Sequence, residues 1–260
     1  MALPSACCAT ADVALRYGSL DARIDHSADT KAQALALRRV AFRKGQRADE
    51  DTFDDACVHS VVRDVTADTT LIAFRLRLLP VADDLHKAYS ASFYDLAPLA
   101  REPGPWLEVG RFCQLPKGAS THALMLAWAA IGLYVDRHGV AMLFGSSSFE
   151  GAEPSRHAGS LSRLRAYHLG DARLIPGRVS KHAVGFPVQC NALAPLPPLM
   201  RSYLSMGGWV GDHAVQDFDL DTLHVFTGLR VDDIPARRKQ KLRAMAQAGQ
   251  RPLDLAAAAQ

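Results

Sequence analysis

Glu108 and Arg111 stand three residues apart in Trp-Leu-Glu-Val-Gly-Arg-Phe-Cys, residues 106–113, a stretch otherwise composed like a buried strand. Taking a carboxylate and a guanidinium out of water costs free energy unless they are paired or put to use. Glu108 could accept a proton and Arg111 could grip an anionic group, or the two could simply pair with each other inside the sheet. Further along, Gly145-Ser146-Ser147-Ser148 reads as a small polar turn after a strand, where the serines either reach a substrate or only make the turn. Asp49, Glu50, Asp51, Asp54 and Asp55 form an acidic run that is either a solvated loop or a set of acids for a cationic group. Arg38 and Phe42, four apart, share one face of the helix before it.

The elements that must position these groups can be read from pattern. Val13–Tyr17 suits a first strand. A helix begins near Asp29, with Ser27 or Asp29 as cap, and Ala32, Leu35, Ala36 and Val40 as its apolar face; it stops at Lys44-Gly45. Cys57–Arg63 and Thr70–Leu79 read as an antiparallel hairpin around Thr66-Ala67-Asp68. Tyr89–Leu99 reads as loop with short helical turns, and Pro103-Gly104-Pro105 halts the chain before the strand that carries Glu108. Thr121–His138, apolar almost all round, predicts a buried helix, and Val140–Gly145 a central strand. Helices are expected over Pro154–His168 and Pro198–Met206, a strand over Thr222–Val231, and a basic helix in 232–247. Residues 170–221 are less regular. Helix, hairpin, strand, helix, strand, helix and late strand predict a mixed sheet covered by helices on both faces, built as one domain over 1–260 with residues 1–12 frayed and a basic tail over 232–260.

Bulk properties exclude several classes. Hydrophobic residues make up 48% and charged ones 22% of 260, enough to fold rather than stay disordered. The net charge of +3 comes without an arginine-rich tract, so no nucleic-acid partner is expected. Five cysteines (Cys7, Cys8, Cys57, Cys113, Cys190) at irregular spacing contain no CxxC, which argues against a zinc site or disulfides and for reduced thiols in the cytoplasm. The ten histidines show no metal-ligand spacing, and neither a signal peptide nor a bilayer-spanning window is evident.

Leu107-Glu108-Val109-Gly110-Arg111-Phe112-Cys113 with Leu143-Phe144-Gly145-Ser146-Ser147-Ser148-Phe149 resembles the ornithine-lipid N-acyltransferases, a branch of the GNAT superfamily. Arg75–Pro80, Ala88-Tyr89-Ser90, Phe93–Leu96, Pro197-Pro198-Leu199, Trp209–Asp212 and Thr222–Phe226 match in the same order, so the resemblance spans about residues 30–230. A more distant likeness is to acyl-homoserine-lactone synthases, through Arg38 and Phe42, the paired acids Asp51 and Asp54, and Glu108, Arg111 and Phe112. The tryptophan those enzymes place after the Phe is Ala48 here.

The resemblance implies a GNAT-type α/β fold with a largely antiparallel central sheet. It implies transfer of a 3-hydroxyacyl group from acyl carrier protein to the α-amine of L-ornithine, giving lyso-ornithine lipid, without a cofactor. Glu108 and Arg111 are then the catalytic pair. Arg38 would take the α-carboxylate, and Asp51 and Asp54 the δ-ammonium. Phe42, Phe112 and Trp128 would line the acyl chain, with ordinary core packing the favoured reading of Trp128; amides beside Phe112 and Cys113 would stabilise the oxyanion, and Ser146, Ser147 and Ser148 would reach substrate. Gln114–Ala119 is out of register by one residue for a coenzyme A pyrophosphate loop, which favours a carrier-protein donor. The basic run Arg237, Arg238, Lys239, Lys241, Arg243 either docks carrier protein or the cytoplasmic face of the inner membrane, or is a solvated helix face. Other amino-acid acceptors, or a non-catalytic acyl-chain binding protein, remain as alternative readings.

Overall fold

The computed structural model describes residues 12–116, 118, 120–188 and 194–249. Expectations that fall on 1–11, on Cys7, Cys8 and Cys190, on Lys117 and Ala119, and on 250–260 lie outside the described residues. In chain order the described elements are β1 (Val13–Tyr17), β2 (Leu20–Asp25), α1 (Ala28–Arg43), β3 (Val58–Asp64), β4 (Thr69–Leu79), β5 (Tyr94–Asp95), β6 (Trp106–Gln114) and α2 (Thr121–His138). They continue with β7 (Met142–Glu150), α3 (Ala158–Tyr167), β8 (Gly177–Arg178), β9 (Ala183–Gly185), α4 (Pro198–Leu204), β10 (Trp209–Asp217), β11 (Thr222–Arg230) and α5 (Ala236–Gly249). The strands β2 and β10 were not anticipated. Their inward positions mix aliphatic with charged or histidine side chains, which blurs the alternation.

The chain divides into two compact units: Met1–Leu76, Arg111–Tyr134 and Lys241–Gln260 in the first, Arg77–Gly110 and Val135–Gln240 in the second. In the first unit the strand order is β1-β2-β3-β4-β6, with antiparallel ladders from β1 to β4. Helix α1 starts at Ser27, whose hydroxyl accepts from Thr30 N, and stops at Lys44 in the left-handed region (φ 50°). It buries Thr30, Ala34, Leu37 and Arg38, packing Ala34 and Leu37 on Val61, Ala73 and Cys113. That overturns the expected apolar face: Val40 is 45% exposed, and Ala32 and Ala36 also face solvent. The helix is rotated because Arg38 turns inward onto aspartates supplied by the following loop, which the periodicity of the helix alone cannot reveal. The opposite face of this sheet carries a ring stack in which Phe112 lies on Phe74 (5.1 Å) and on Trp128 of α2 (6.0 Å).

In the second unit the order is β6-β7-β11-β10-β9, with β6 and β7 parallel and the rest antiparallel. One face packs Phe149, Val225, Leu223, Ala214 and Val210 against α3 and α4. The other packs Met142, Phe144, Phe226, Val215, Trp106 and Trp209 under the 82–101 segment, through Leu85, Ala88, Tyr94, Leu96 and Leu99. The Gly145–Ser148 turn expected from composition is strand instead, because β11 pairs with it residue by residue from Thr227 to His224. A serine run forms no turn when a neighbouring strand pairs with it along its length.

Candidate active site

The parallel ladder between β6 and β7 runs Trp106↔Met142, Leu107↔Leu143, Glu108↔Phe144, and ends there, although both strands continue. At the next position Gly145 lies so close that a Cβ added to it would stand 2.4 Å from the Val109 carbonyl oxygen, so only glycine fits. Arg111, two residues on, has φ 51°, a left-handed backbone inside a strand for a side chain that disfavours it. Backbone strain of this kind persists where the surroundings impose it and gathers at functional sites. The opening therefore begins at Val109, upstream of the Phe112–Cys113 amides expected to flank it.

Glu108 is 4% exposed. Its Oε2 accepts from Tyr89 N (2.8 Å), and its Oε1 from Ser90 N (2.7 Å) and Ser90 Oγ (2.6 Å). The three donors fill three of about four lone-pair positions of the carboxylate, leaving one on Oε2. In the second unit, then, Glu108 has its partners in the 89–90 turn. On the same sheet face, Tyr94 OH lies 2.9 Å from His224 Nδ1 and donates to the His224 carbonyl at 3.1 Å. The Tyr94 ring also packs on His213 at 5.2 Å. His213 is completely buried and its Nδ1 meets Asp212 Oδ1 at 2.7 Å. Its pKa is pushed down by burial, against the opposing pull of Asp212. A register shift between Val210 and Ala214 re-aims these side chains. Sequence reasoning missed Ser90, Tyr94, His213 and His224 as chemistry; the signal for Ser90, Tyr94 and His224 was that the blocks carrying them recur in the resemblance, and His213 lies just past the Trp209–Asp212 block.

In the first unit, four arginines and three aspartates form one network. Arg38 donates through Nε to Asp49 Oδ2 (3.0 Å) and through Nη1 and Nη2 to the two oxygens of Asp54 (2.6 and 3.1 Å). Arg43 Nε donates to Asp49 Oδ1 (2.9 Å). Arg75 Nη1 donates to Asp51 Oδ1 (2.6 Å) and Asp54 Oδ1 (2.7 Å), and Arg111 Nη2 to Asp51 Oδ2 (3.0 Å). Burial alone would raise the pKa of Asp54 and Asp51; the hydrogen bonds and charges of Arg38 and Arg75, and of Arg75 and Arg111, outweigh it and hold both below the ordinary carboxylate value.

This geometry revises the solvated-loop reading of the acidic run. Asp49 and Asp54 are sealed inside, Asp51 keeps 23% of its side chain exposed, and Glu50 and Asp55 remain in solvent. Arg38 (1% exposed) and Asp54 bind each other, so the substrate contacts expected of them are closed off; both hold the connector onto α1 and β4. Phe42 lies under the Arg111 guanidinium at 5.9 Å, and its ring is no neighbour of the Phe112–Trp128 stack in any described ring contact. Cys113 is buried and its thiol is pushed up to about 12 by burial, which leaves it protonated and unreactive at neutral pH.

Comparison with known proteins now bears on these residues. The acetyltransferase (GNAT) domain family matches residues 35–129. An L-ornithine N(alpha)-acyltransferase of Brucella abortus is 33% identical over 250 residues, covering 85% of this chain and 88% of that protein. The chain belongs to the L-ornithine N(alpha)-acyltransferase family. A second member, from Rhizobium meliloti, is 32% identical over 251 residues, covering 87% of this chain and 85% of that protein. The solved structure of the AHL synthase LasI superposes with a TM-score of 0.44 at 11% identity, over 86% of this chain and 95% of that chain. Within this family of acyltransferases the GNAT domain match takes in Arg38, Asp51, Asp54, Glu108 and Arg111, the residues singled out from sequence. No helix among the described residues is long and apolar enough to cross a membrane.

Proposed function

We propose that this acyltransferase moves a 3-hydroxyacyl group from acyl carrier protein to the α-amine of L-ornithine. The observation that carries the reading is the end of the β6–β7 ladder at Glu108/Phe144, in a chain that aligns over most of its length with L-ornithine N(alpha)-acyltransferases. Where a ladder stops while the strands run on, unpaired backbone groups are available to an extended amide-bearing arm, the way an added strand binds a sheet edge. The pantetheine arm of a carrier protein has that character.

In the reaction the neutral amine attacks the thioester carbonyl carbon, the C–N bond forms, the C–S bond breaks, and the thiolate leaves and takes a proton. A free α-amine, with an ordinary pKa of about 8, is mostly ammonium at neutral pH, so it loses two protons on the way to the amide; the departing thiolate takes one, and a base must take the other. We assign that proton to the remaining lone pair of Glu108 Oε2, with Tyr89 and Ser90 fixing the carboxylate. Asp51, the acid expected from the resemblance to meet the δ-ammonium, is ionised and partly exposed but has Arg75 and Arg111 on its two oxygens, so it is left with the network that holds the connector. For the carrier protein we assign the basic run on α5. Within it Arg238 is tied to Ser205 Oγ (2.6 Å) and Lys239 reaches the Asp232 carbonyl (3.3 Å). Arg237, Lys241 and Arg243 are exposed on the helix.

Purified protein incubated with 3-hydroxyacyl carrier protein and single amino acids tests the reading by mass spectrometry. N-acylornithine is the expected product. Product with another amino acid in preference would move the acceptor, and no product with any would end the proposal. Neutralising Arg237, Lys241 and Arg243 should weaken carrier-protein binding; loss of vesicle flotation with carrier-protein binding unchanged would transfer the run to the membrane.

A further inference from the structure

Along the second unit's sheet, Glu108, Phe144, Ser146 and Phe226 share one face. Glu108 stands across the ladder from Phe144, Ser146 follows Phe144 by two residues on the same strand, and Phe226 lies directly opposite Ser146 on β11. Three of these four have an evident function in the fold: Glu108 holds the 89–90 turn, and Phe144 and Phe226 stack at 6.0 Å in the core. Ser146 does not. Its hydroxyl oxygen is shielded from solvent and has no hydrogen-bond partner among the described residues. A sheltered hydroxyl without a partner is uncommon in native structures and calls for an explanation. Alanine or valine would fill the position without that cost.

The residue as a whole is half-buried, so rotation about one side-chain bond can turn the hydroxyl to its accessible side. Its position follows from strand geometry. It stands about 7 Å along β7 from Phe144, at two residues of ~3.4 Å each, just past the point where the ladder opens. A thioester whose carbonyl carbon lies beside Glu108 would bring the first few carbons of its acyl chain past this hydroxyl. Its two sheet neighbours on this face, Phe144 and Phe226, offer no hydrogen bond, so a polar substituent on those carbons would meet the Ser146 hydroxyl.

We propose that Ser146 is a specificity residue for the acyl donor, hydrogen-bonding a hydroxyl carried near the thioester carbonyl and so favouring hydroxylated over plain acyl chains. This deepens the function proposed above and rests on it. The test compares kcat/KM for 3-hydroxyacyl and saturated acyl carrier protein of equal chain length, with L-ornithine, in the wild type and in Ser146→Ala. The wild type should prefer the hydroxylated donor. Ser146→Ala should lower kcat/KM for that donor about tenfold and leave the saturated donor within about twofold, a loss of the size of one hydrogen bond to a neutral group. Equal changes for both donors, or none, would overturn the proposal. Ser148→Ala, on the same face but exposed, should leave the ratio unchanged; an equal loss there would overturn it too.

A merely structural hydroxyl predicts a lower melting temperature for Ser146→Ala, whereas an orphaned one predicts an unchanged or raised one. If the wild type makes no N-acylornithine from either donor, the proposed function fails while Ser146 can still be judged. Calorimetric binding of the two acyl carrier proteins should then differ in the wild type and converge in Ser146→Ala, and identical binding by both proteins would overturn the role.

Discussion

In the first unit, Arg38, Arg43, Arg75 and Arg111 leave water together with Asp49, Asp51 and Asp54, and almost every oxygen of the aspartates has a guanidinium against it. In the second, Glu108, Tyr94 and the histidines are just as buried, but the bonding stops short: one lone pair remains on Glu108, and Ser146 Oγ and His213 Nε2 have no partner among the described residues. Both regions carry charge into a sheet, and they differ in whether the charge is used up. A closed network holds structure and has nothing left to offer a ligand. An incomplete one costs stability in the free protein and keeps capacity for something that is not yet there.

The contrast breaks if the closed network tolerates losing a member. Arg38→Ala leaves Asp49 and Asp54 buried without their main counter-charge, and should cost about 3–5 kcal/mol in a urea titration. A loss under about 1 kcal/mol would mean the network is not closed. The same carboxylates set an acid limit. Their folded pKa values lie below the unfolded value of about 3.9, so their contribution is present above that pH and is lost as the pH falls through it toward the folded values. Stability measured from about pH 7 to 2 should therefore drop steeply below about pH 4 in the wild type. The drop should be shallower in Arg38→Ala; parallel curves would disconnect the network from acid unfolding.

Glu108→Gln sharpens the other side. Turnover should fall about tenfold or more, at temperatures where circular dichroism shows the variant folded. The fold should also lose about 1–3 kcal/mol, because the new amide presents a donor to the Tyr89 or Ser90 amide. Lost stability with unchanged turnover would make Glu108 a staple for the 89–90 turn and nothing more.

Asp51→Asn separates the one solvent-facing member of the network from the rest. It should cost about 1–3 kcal/mol in a urea titration, because Arg75 and Arg111 lose a charged partner, and leave KM for ornithine within about twofold. A rise of about tenfold in KM for ornithine alone would make Asp51 a substrate ligand and break the contrast. The smallest effect expected is that of Tyr94→Phe, which removes the hydroxyl between His224 Nδ1 and the His224 carbonyl. It should cost about 1 kcal/mol in a thermal melt. No change would mean that His224 finds another partner.

Much of the first unit's framework is legible in short stretches of sequence. The Ser27 cap, the Lys44-Gly45 stop and the β3–β4 hairpin follow from local chemistry, and each lies close to where that chemistry puts it. The wrong face of α1 and the mislabelled serine turn share another cause. Arg38 points inward because Asp49 and Asp54, eleven and sixteen residues later, meet it there. Ser146–Ser148 are extended because β11, far along the chain, pairs with them. A local pattern records what a residue prefers alone and omits the partner that overrides the preference.

The sequence by itself determined the family, the mixed largely antiparallel sheet, and that Glu108 and Arg111 were the charges needing an explanation. Those depend on residue type, spacing and similarity, which are properties of the chain as written. Only the tertiary structure decided how each charge is answered. Arg111 is committed to Asp51 and Glu108 to the 89–90 turn, Arg38 and Asp54 are sealed, and Ser146 is left with an unmet hydrogen bond. The physical reason is that a buried polar group is stabilised or penalised by whatever stands within about 3 Å of it, and those neighbours come from distant parts of the chain.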